Sequence, residues 1–378
     1  MRYTPFGTKS GVEISRLGFG SMRLPMIEVA GKQVVDEEQA IPMIQRAFAL
    51  GVNYIDSAWF YCDHLSEYTV GKALKGWRDR VYLSTKYPIG NDKGYRELLE
   101  VQLGKLDTDY IDFYHFHGIG AWFLTHERRE EFIREALQAK EEGLIRHISF
   151  SFHDKPEALP QLVDLGLFTS VLCQYNLLDR GNEAGLAYAK AHGLGTVVMG
   201  PVGGGRVAGL APEIAAELGI PVRSSAELAL RFVLANPNVD CALSGMNAPA
   251  QVEENAAVAS NADPLSAAEV EGINAAMTEN KRLAELYCTG CNYCTPHCPQ
   301  EINIPAIFGA MNNDRIYGLK AFARGQYHAI GTNPWVKGKK ADACTECGAC
   351  EEHCPQHIAI RAQLKECRAA FEEVTAGA

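Results

Sequence analysis

No uninterrupted apolar run approaches the roughly 18 residues a helix needs to cross a bilayer, so the sequence offers no candidate membrane span. No block of like charge occurs, and Lys+Arg 36 against Asp+Glu 46 leaves a formal net charge of −10, which argues against a nucleic-acid partner. The opening residues, MRYTPFGTKSG, lack the apolar core of a signal peptide, and a soluble cytoplasmic protein is the expectation. Gly18-Phe19-Gly20 lacks the third glycine of the dinucleotide-binding turn of a doubly wound sheet, and no flavin-binding motif is present.

What is there begins with length: 378 residues, 47% hydrophobic, allow more than one packed domain. Tyr3 to Phe6 and Glu13 to Leu17 read as a β-hairpin around Gly7–Gly11. Strand-like runs follow at Leu17–Gly20, Tyr54–Asp56, Val81–Thr85, Ile111–His117, His147–Phe150, Val171–Tyr175, Thr196–Met199 and Ala242–Ser244. Helical periodicity falls between them, at Glu37–Leu50, Glu67–Leu74, Tyr95–Leu106, Arg129–Glu142, Pro156–Leu165, Glu183–His192, Ala226–Leu234 and Pro249–Ala259. Eight strand–helix units in about 250 residues predict an α/β fold, a (β/α)8 TIM barrel, over residues 1–262.

Chemistry in such barrels sits at the C-terminal ends of the strands. Asp56, Lys86 and His117 fall at or just past strand ends, and Tyr61 follows Asp56 in the adjoining loop. A carboxylate beside a phenol suggests a proton-donating tyrosine with a charge arranged behind it. Two positions before His117 on the same strand, His115 is expected to face away and to be structural.

These residues, in Asp56-Ser57-Ala58-Trp59-Phe60-Tyr61, Ser84-Thr85-Lys86 and Tyr110 to His117, resemble the catalytic tetrad of the aldo-keto reductases. Glu142 to Ile148 and Gln251 to Asn255 extend the resemblance across the barrel. It implies carbonyl reduction or alcohol oxidation by hydride transfer, with Tyr61 as the acid–base, Lys86 lowering its pKa, Asp56 holding Lys86, and His117 at the substrate oxygen.

The resemblance also implies a nicotinamide cofactor. Gly20, Ser21 and Met22 would meet its nicotinamide end, with Ser151 and Gln174 at the carboxamide; Gly203, Gly204, Gly205 and Arg206 would wrap the pyrophosphate, and Gln251, Glu254 and Asn255 the adenosine. Phe152 and His153 stand where the family carries an asparagine, and Leu172 where it carries a glutamine. No Lys or Arg lies between Ser244 and Asn255, where members selective for NADP(H) place cations, so the pattern leans toward NAD(H).

Asn261 to Pro264 reads as a linker, and Ser266 to Glu269 as a capping box opening a helix that runs to about Leu286. Residues 263–378 then form a second, mainly helical domain around an internal repeat. CTGCNYCTPHCPQEINI starts at Cys288 and CTECGACEEHCPQHIAI starts 56 positions later at Cys344. The spacing Cys-x-x-Cys-x-x-Cys-x-x-x-Cys-Pro is that of bacterial ferredoxins, where the fourth cysteine of each run serves the other cluster. It predicts two 4Fe–4S clusters, one on Cys288, Cys291, Cys294 and Cys354, the other on Cys344, Cys347, Cys350 and Cys298. Structural zinc favours separated cysteine pairs and is the weaker reading. Cys62, Cys173 and Cys241 are expected to pack in the barrel, with Cys62 also able to line the site, and Cys367 to sit on a helix surface or in a core.

The sequence therefore predicts an oxidoreductase acting on a small carbonyl or alcohol, with clusters that are structural or serve a ferredoxin-like or other electron-carrier partner. Nicotinamide moves two electrons and each cluster one, with no flavin motif to split the pair. The competing reading is a nucleotide-binding redox sensor without carbonyl turnover.

Overall fold

The computed structural model describes residues 1–177, 179–202, 219–260, 265–285, 288, 294–315, 319–334, 336–354 and 358–372. The chain divides into two compact units, Met1–Gly204 with Ala226–Ser266, and Gly205–Ser225 with Ala267–Ala378.

The first unit opens with an antiparallel hairpin, β1 (Tyr3–Pro5) against β2 (Glu13–Ser15). Eight strands then close a barrel: β3 (Leu17–Gly20), β6 (Tyr54–Asp56), β7 (Tyr82–Pro88), β8 (Ile111–Ile119), β9 (Ile145–Phe152), β10 (Ser170–Gln174), β11 (Gly195–Met199) and β12 (Cys241–Gly245). All eight neighbours pair in parallel, and β12 returns to β3. Strands covered on both sides can be apolar almost throughout, which is why their runs stand out in the sequence.

The helices face the barrel with one stripe each. In Glu37–Ala49 the buried residues are Ala40, Met43, Ile44, Ala47 and Phe48, a three-and-four spacing, and the Asp36 side chain caps the helix by accepting from the Gln39 N–H. Phe6, which follows β1, is fully buried among Tyr54, Phe113, Leu172, Val197, Cys241 and Leu243 in the barrel interior. Gly195 is required there, because a Cβ would stand 2.4 Å from the Phe6 ring.

One element is absent from the sequence reading, the hairpin β4 (Met26–Val29) and β5 (Lys32–Val35), inserted after β3. Its turn is Ala30-Gly31, both at positive φ (51° and 76°). Asn or Asp normally marks such a turn, and alanine gives no such signal.

In the second unit, helices Ala267–Glu285, Ile304–Arg315, Lys320–Ala329 and Ile360–Glu372 are the long elements. Their core gathers Ile304, Ile307, Phe308, Tyr327, Leu364 and Phe371, with Cys294 and Cys350 at its edge. Cys367 is fully buried in that core, while Cys173 and Cys241 pack in the barrel as expected. The expected linker, Asn261 to Pro264, lies outside the described residues.

Candidate active site and cysteine centres

Asp56 closes β6, Lys86 stands near the end of β7, and both are only 1% exposed. The Lys86 ammonium donates to Asp56 Oδ2 at 2.5 Å, to the Ser57 carbonyl at 2.6 Å and to the Tyr61 hydroxyl at 3.2 Å. Ser84 Oγ donates to the other Asp56 oxygen at 2.8 Å. Burial lowers the lysine pKa, but Asp56 and Tyr61 outweigh it and the net shift is upward, so the ammonium keeps its charge. Burial likewise raises Asp56, against Lys86 and Ser84, which favour its ionised form.

Above this buried pair, Tyr61 and His117 are partly exposed, their rings edge to face at 6.5 Å. Tyr61 is delivered by a tight turn in which Cys62, Asp63 and His64 all adopt left-handed backbone, φ 51°, 53° and 65°. Three consecutive non-glycine residues in that region are costly and persist where surroundings fix them. Here the Tyr61 carbonyl accepts from Ser66 N–H at 3.2 Å, and Lys105 donates to the His64 carbonyl at 3.1 Å.

Burial, the largest cause, raises the Tyr61 pKa and Asp56 adds to it; Lys86 lowers it as expected, and the net shift is upward. One sequence expectation changes. His115 does not face away: side chains two apart on a strand share a face, and His115 is the register partner of Lys86. It is fully buried, and burial, with Lys86 and His117 as further causes, pulls its pKa down to about 3. His117 is also lowered to about 3, by burial first, then Lys86 and His153, so its imidazole is neutral.

In the second unit Cys298, from the first run, lines one cavity with Cys344, Cys347 and Cys350 of the second. Cys294 has Cys288 and Cys354 among its charge neighbours. The backbone N–H groups of Glu346 and Ile302 donate to Cys344 Sγ and Cys298 Sγ at 3.4 and 3.5 Å, the kind of bond that stabilises thiolates at a cluster. Cys291 lies outside the described residues. Soft thiolate donors drawn from both runs around one cavity suit an iron–sulfur cluster.

The family model for the Aldo/keto reductase family matches residues 16–277. The chain belongs to that family. A second model, the 4Fe-4S dicluster domain, matches residues 287–359 of this aldo/keto reductase. An uncharacterized oxidoreductase of Bacillus subtilis is 27% identical over 308 residues, covering 72% of this chain and 95% of its own. The holo form of an aldo-keto reductase from Bacillus halodurans is 30% identical, with a TM-score of 0.61 over 73% of this chain and 96% of that one. One from Klebsiella pneumoniae, in complex with NADPH, is 25% identical with a TM-score of 0.61, covering 72% and 94%.

Within this reductase barrel the residues expected at the cofactor are differently placed. Met22 is 58% exposed, whereas Ser21 is buried and tied to the Asp56 carbonyl at 2.8 Å and to Ser66 Oγ at 2.6 Å. Gly20 packs against Leu243 and the Ser244 carbonyl. Ser151 Oγ accepts from the Gly118 N–H at 2.8 Å, and the Gln174 amide lies against Gly200 at the end of β11. Gln251 Oε1 accepts from the Asn247 N–H, and the buried Asn255 amide donates to Ser244 Oγ at 3.1 Å, an internal bond. Glu254 lies on the same helix, Pro249–Ser260. Gly203, Gly204, Gly205 and Arg206 lie outside the described residues.

The stem of Arg23, from the turn after β3, approaches the end of β12, where a Cβ on Gly245 would stand 3.8 Å from its Cδ. It lies more than 200 positions before Ser244, so no local signal near β12 points to it. Cys62, expected to pack in the barrel or to line the site, sits half-buried in the Tyr61 turn with its thiol 3.5 Å from the Ser21 carbonyl.

Proposed function

We propose that the barrel reduces a small carbonyl compound, or oxidises the matching alcohol, with Tyr61 as the proton donor and acceptor. The observation that carries this reading is the three-way reach of Lys86, to Asp56, Ser57 and Tyr61. The phenol is protonated at neutral pH; burial, which raises its pKa, makes it the more reluctant donor, and Lys86 opposes that shift. As the proton leaves, the developing phenolate sits 3.2 Å from a buried ammonium whose charge Asp56 secures, and no group has to move to meet it. The neutral His117 can donate one N–H to the substrate oxygen without adding a charge to the site.

When bound, a nicotinamide dinucleotide supplies the hydride. Met22 and Ser151 would hold its reactive end, Ser151 through a hydroxyl proton that the Gly118 bond leaves available. Arg23, whose stem approaches Gly245, would meet a phosphate of the cofactor. The lean toward NAD(H) is not supported; a similar reductase is solved in complex with NADPH, and NADP(H) is the cofactor this reading takes.

Tyr61→Phe tests it. Reduction of a panel of aldehydes, ketones and quinones by NADPH should fall roughly 10²–10⁴-fold, the contribution of a positioned acid, with NADPH affinity retained. Reduction undiminished in the variant would sink the mechanism.

A further inference from the structure

A second buried charge pair, which the proposed chemistry does not use, ties the Tyr61 turn to the strand that carries Lys86. Glu67, 1% exposed, lies in the first turn of helix Ser66–Ala73, directly after the Tyr61 turn. Its Oε1 accepts from Thr85 Oγ1 at 2.7 Å and from Gln102 Nε2 at 2.6 Å. Thr85 immediately precedes Lys86 on β7, and the same Gln102 amide donates to the Lys86 backbone carbonyl at 3.2 Å. The Gln102 oxygen in turn accepts from the Tyr114 hydroxyl at 2.6 Å. Lys105, 9% exposed, sets its ammonium 3.8 Å from Glu67 Oε2 and donates to the His64 carbonyl at 3.1 Å. That ammonium also lies 3.8 Å from the centre of the Trp59 ring and 5.2 Å from that of Tyr68. Gly71 lets the two helices approach this closely, since a Cβ there would stand 2.5 Å from the Leu106 carbonyl oxygen. Burial raises the Glu67 pKa against Thr85, Gln102 and Lys105, and lowers that of Lys105 against Glu67.

The Tyr61 contact is the longest of the three that the Lys86 ammonium makes, 3.2 Å against 2.5 and 2.6 Å, so a small relaxation of the turn would open it first. Cys62, Asp63 and His64 in left-handed backbone give the turn a strain to relax. We propose that Lys105 is a positioning residue for Tyr61: through the His64 carbonyl and the Glu67 carboxylate it holds the turn against β7 and so sets the contact between the phenol and Lys86. Lys105 acts on the turn and exchanges no proton with the substrate. This inference rests on the reading of Tyr61 as the acid.

The test is a double-mutant cycle on carbonyl reduction by the full-length protein, with turnover counted per NADPH-binding site so that unfolded protein does not enter the rate. Lys105→Met should lower kcat roughly 10²-fold, the cost of misplacing a reacting group, with KM for NADPH unchanged. In the Tyr61→Phe background the same substitution should cost less than about twofold, because the group it positions is gone. A purely structural role would lower both rates by the same factor. Lys105→Met leaves Glu67 without its counter-charge, so Lys105→Met combined with Glu67→Gln, which removes both charges, is run in parallel and should behave alike. Equal losses in the two backgrounds, or Lys105 variants as fast as the parent while Tyr61→Phe is slow, would overturn the positioning role alone. Tyr61→Phe as fast as the parent would overturn the acid and the positioning role with it.

Discussion

The barrel and the cysteine domain each set an ion pair beside their candidate chemistry, and the pairs are opposite in kind. Asp56 and Lys86 are both 1% exposed, whereas Glu351 and Arg361 are 22% and 46% exposed. In the barrel, water is excluded, so each charge exists only because its partner and the Ser84 and Ser57 oxygens compensate it. Beside the cysteines, solvent screens the pair and its worth to folding is small. The difference separates two uses of charge: a buried pair ties chemistry to the integrity of the fold, while an exposed one can tune a neighbouring group and leave the fold alone.

The largest effect should come from breaking the buried pair. Lys86→Met leaves Asp56 without its counter-charge in the interior, and is expected to cost about 3–5 kcal/mol of barrel stability along with the reductase activity, measured by denaturant unfolding and by turnover. If the variant is as stable as the parent, the burial argument fails. Lys86 also dictates a pH limb: its folded pKa lies above the ordinary 10.5, so the stabilisation is complete below that value and disappears as pH rises through the folded pKa.

A smaller effect concerns turnover against pH. With His117 held at about 3 and Tyr61 raised, neither group titrates in the neutral range. The carbonyl-reduction profile should be flat from about pH 5 to 8 and fall only at high pH as Tyr61 loses its proton. An inflection near 6.5 would assign His117, or His115 beneath it, a charged role.

The smallest effect should be at exposed Arg23. Arg23→Gln removes an exposed cation, so the melting temperature should move little, while KM for NADPH rises about tenfold relative to NADH. Equal changes for the two cofactors would mean that Arg23 does not read the extra phosphate. Together the two variants and the pH profile sharpen the distinction between charges the fold requires and charges it merely carries.

Much of this was legible from residues alone. The eight strands and their helices stand out because a doubly covered parallel sheet demands apolar runs, and Tyr95–Leu106 is a helix with the bounds its periodicity indicates. The hairpin β4–β5 was not legible, since its Ala30-Gly31 turn carries a weak signal. His115 shares the inward face of its strand with His117 and pairs in register with Lys86, as the two-residue period of a strand requires.

The sequence by itself determined the barrel, the tetrad residue types and the spacing of the two cysteine runs, because each is written in local periodicity or in fixed intervals along the chain. Only the tertiary structure decided that Arg23 stands beside Gly245, that Arg361 backs one cavity wall, and that burial outweighs Lys86 at the Tyr61 phenol. The physical reason is common to all three. Proximity between distant segments and exclusion of water are properties of the folded chain, and neither is encoded in any one stretch of it.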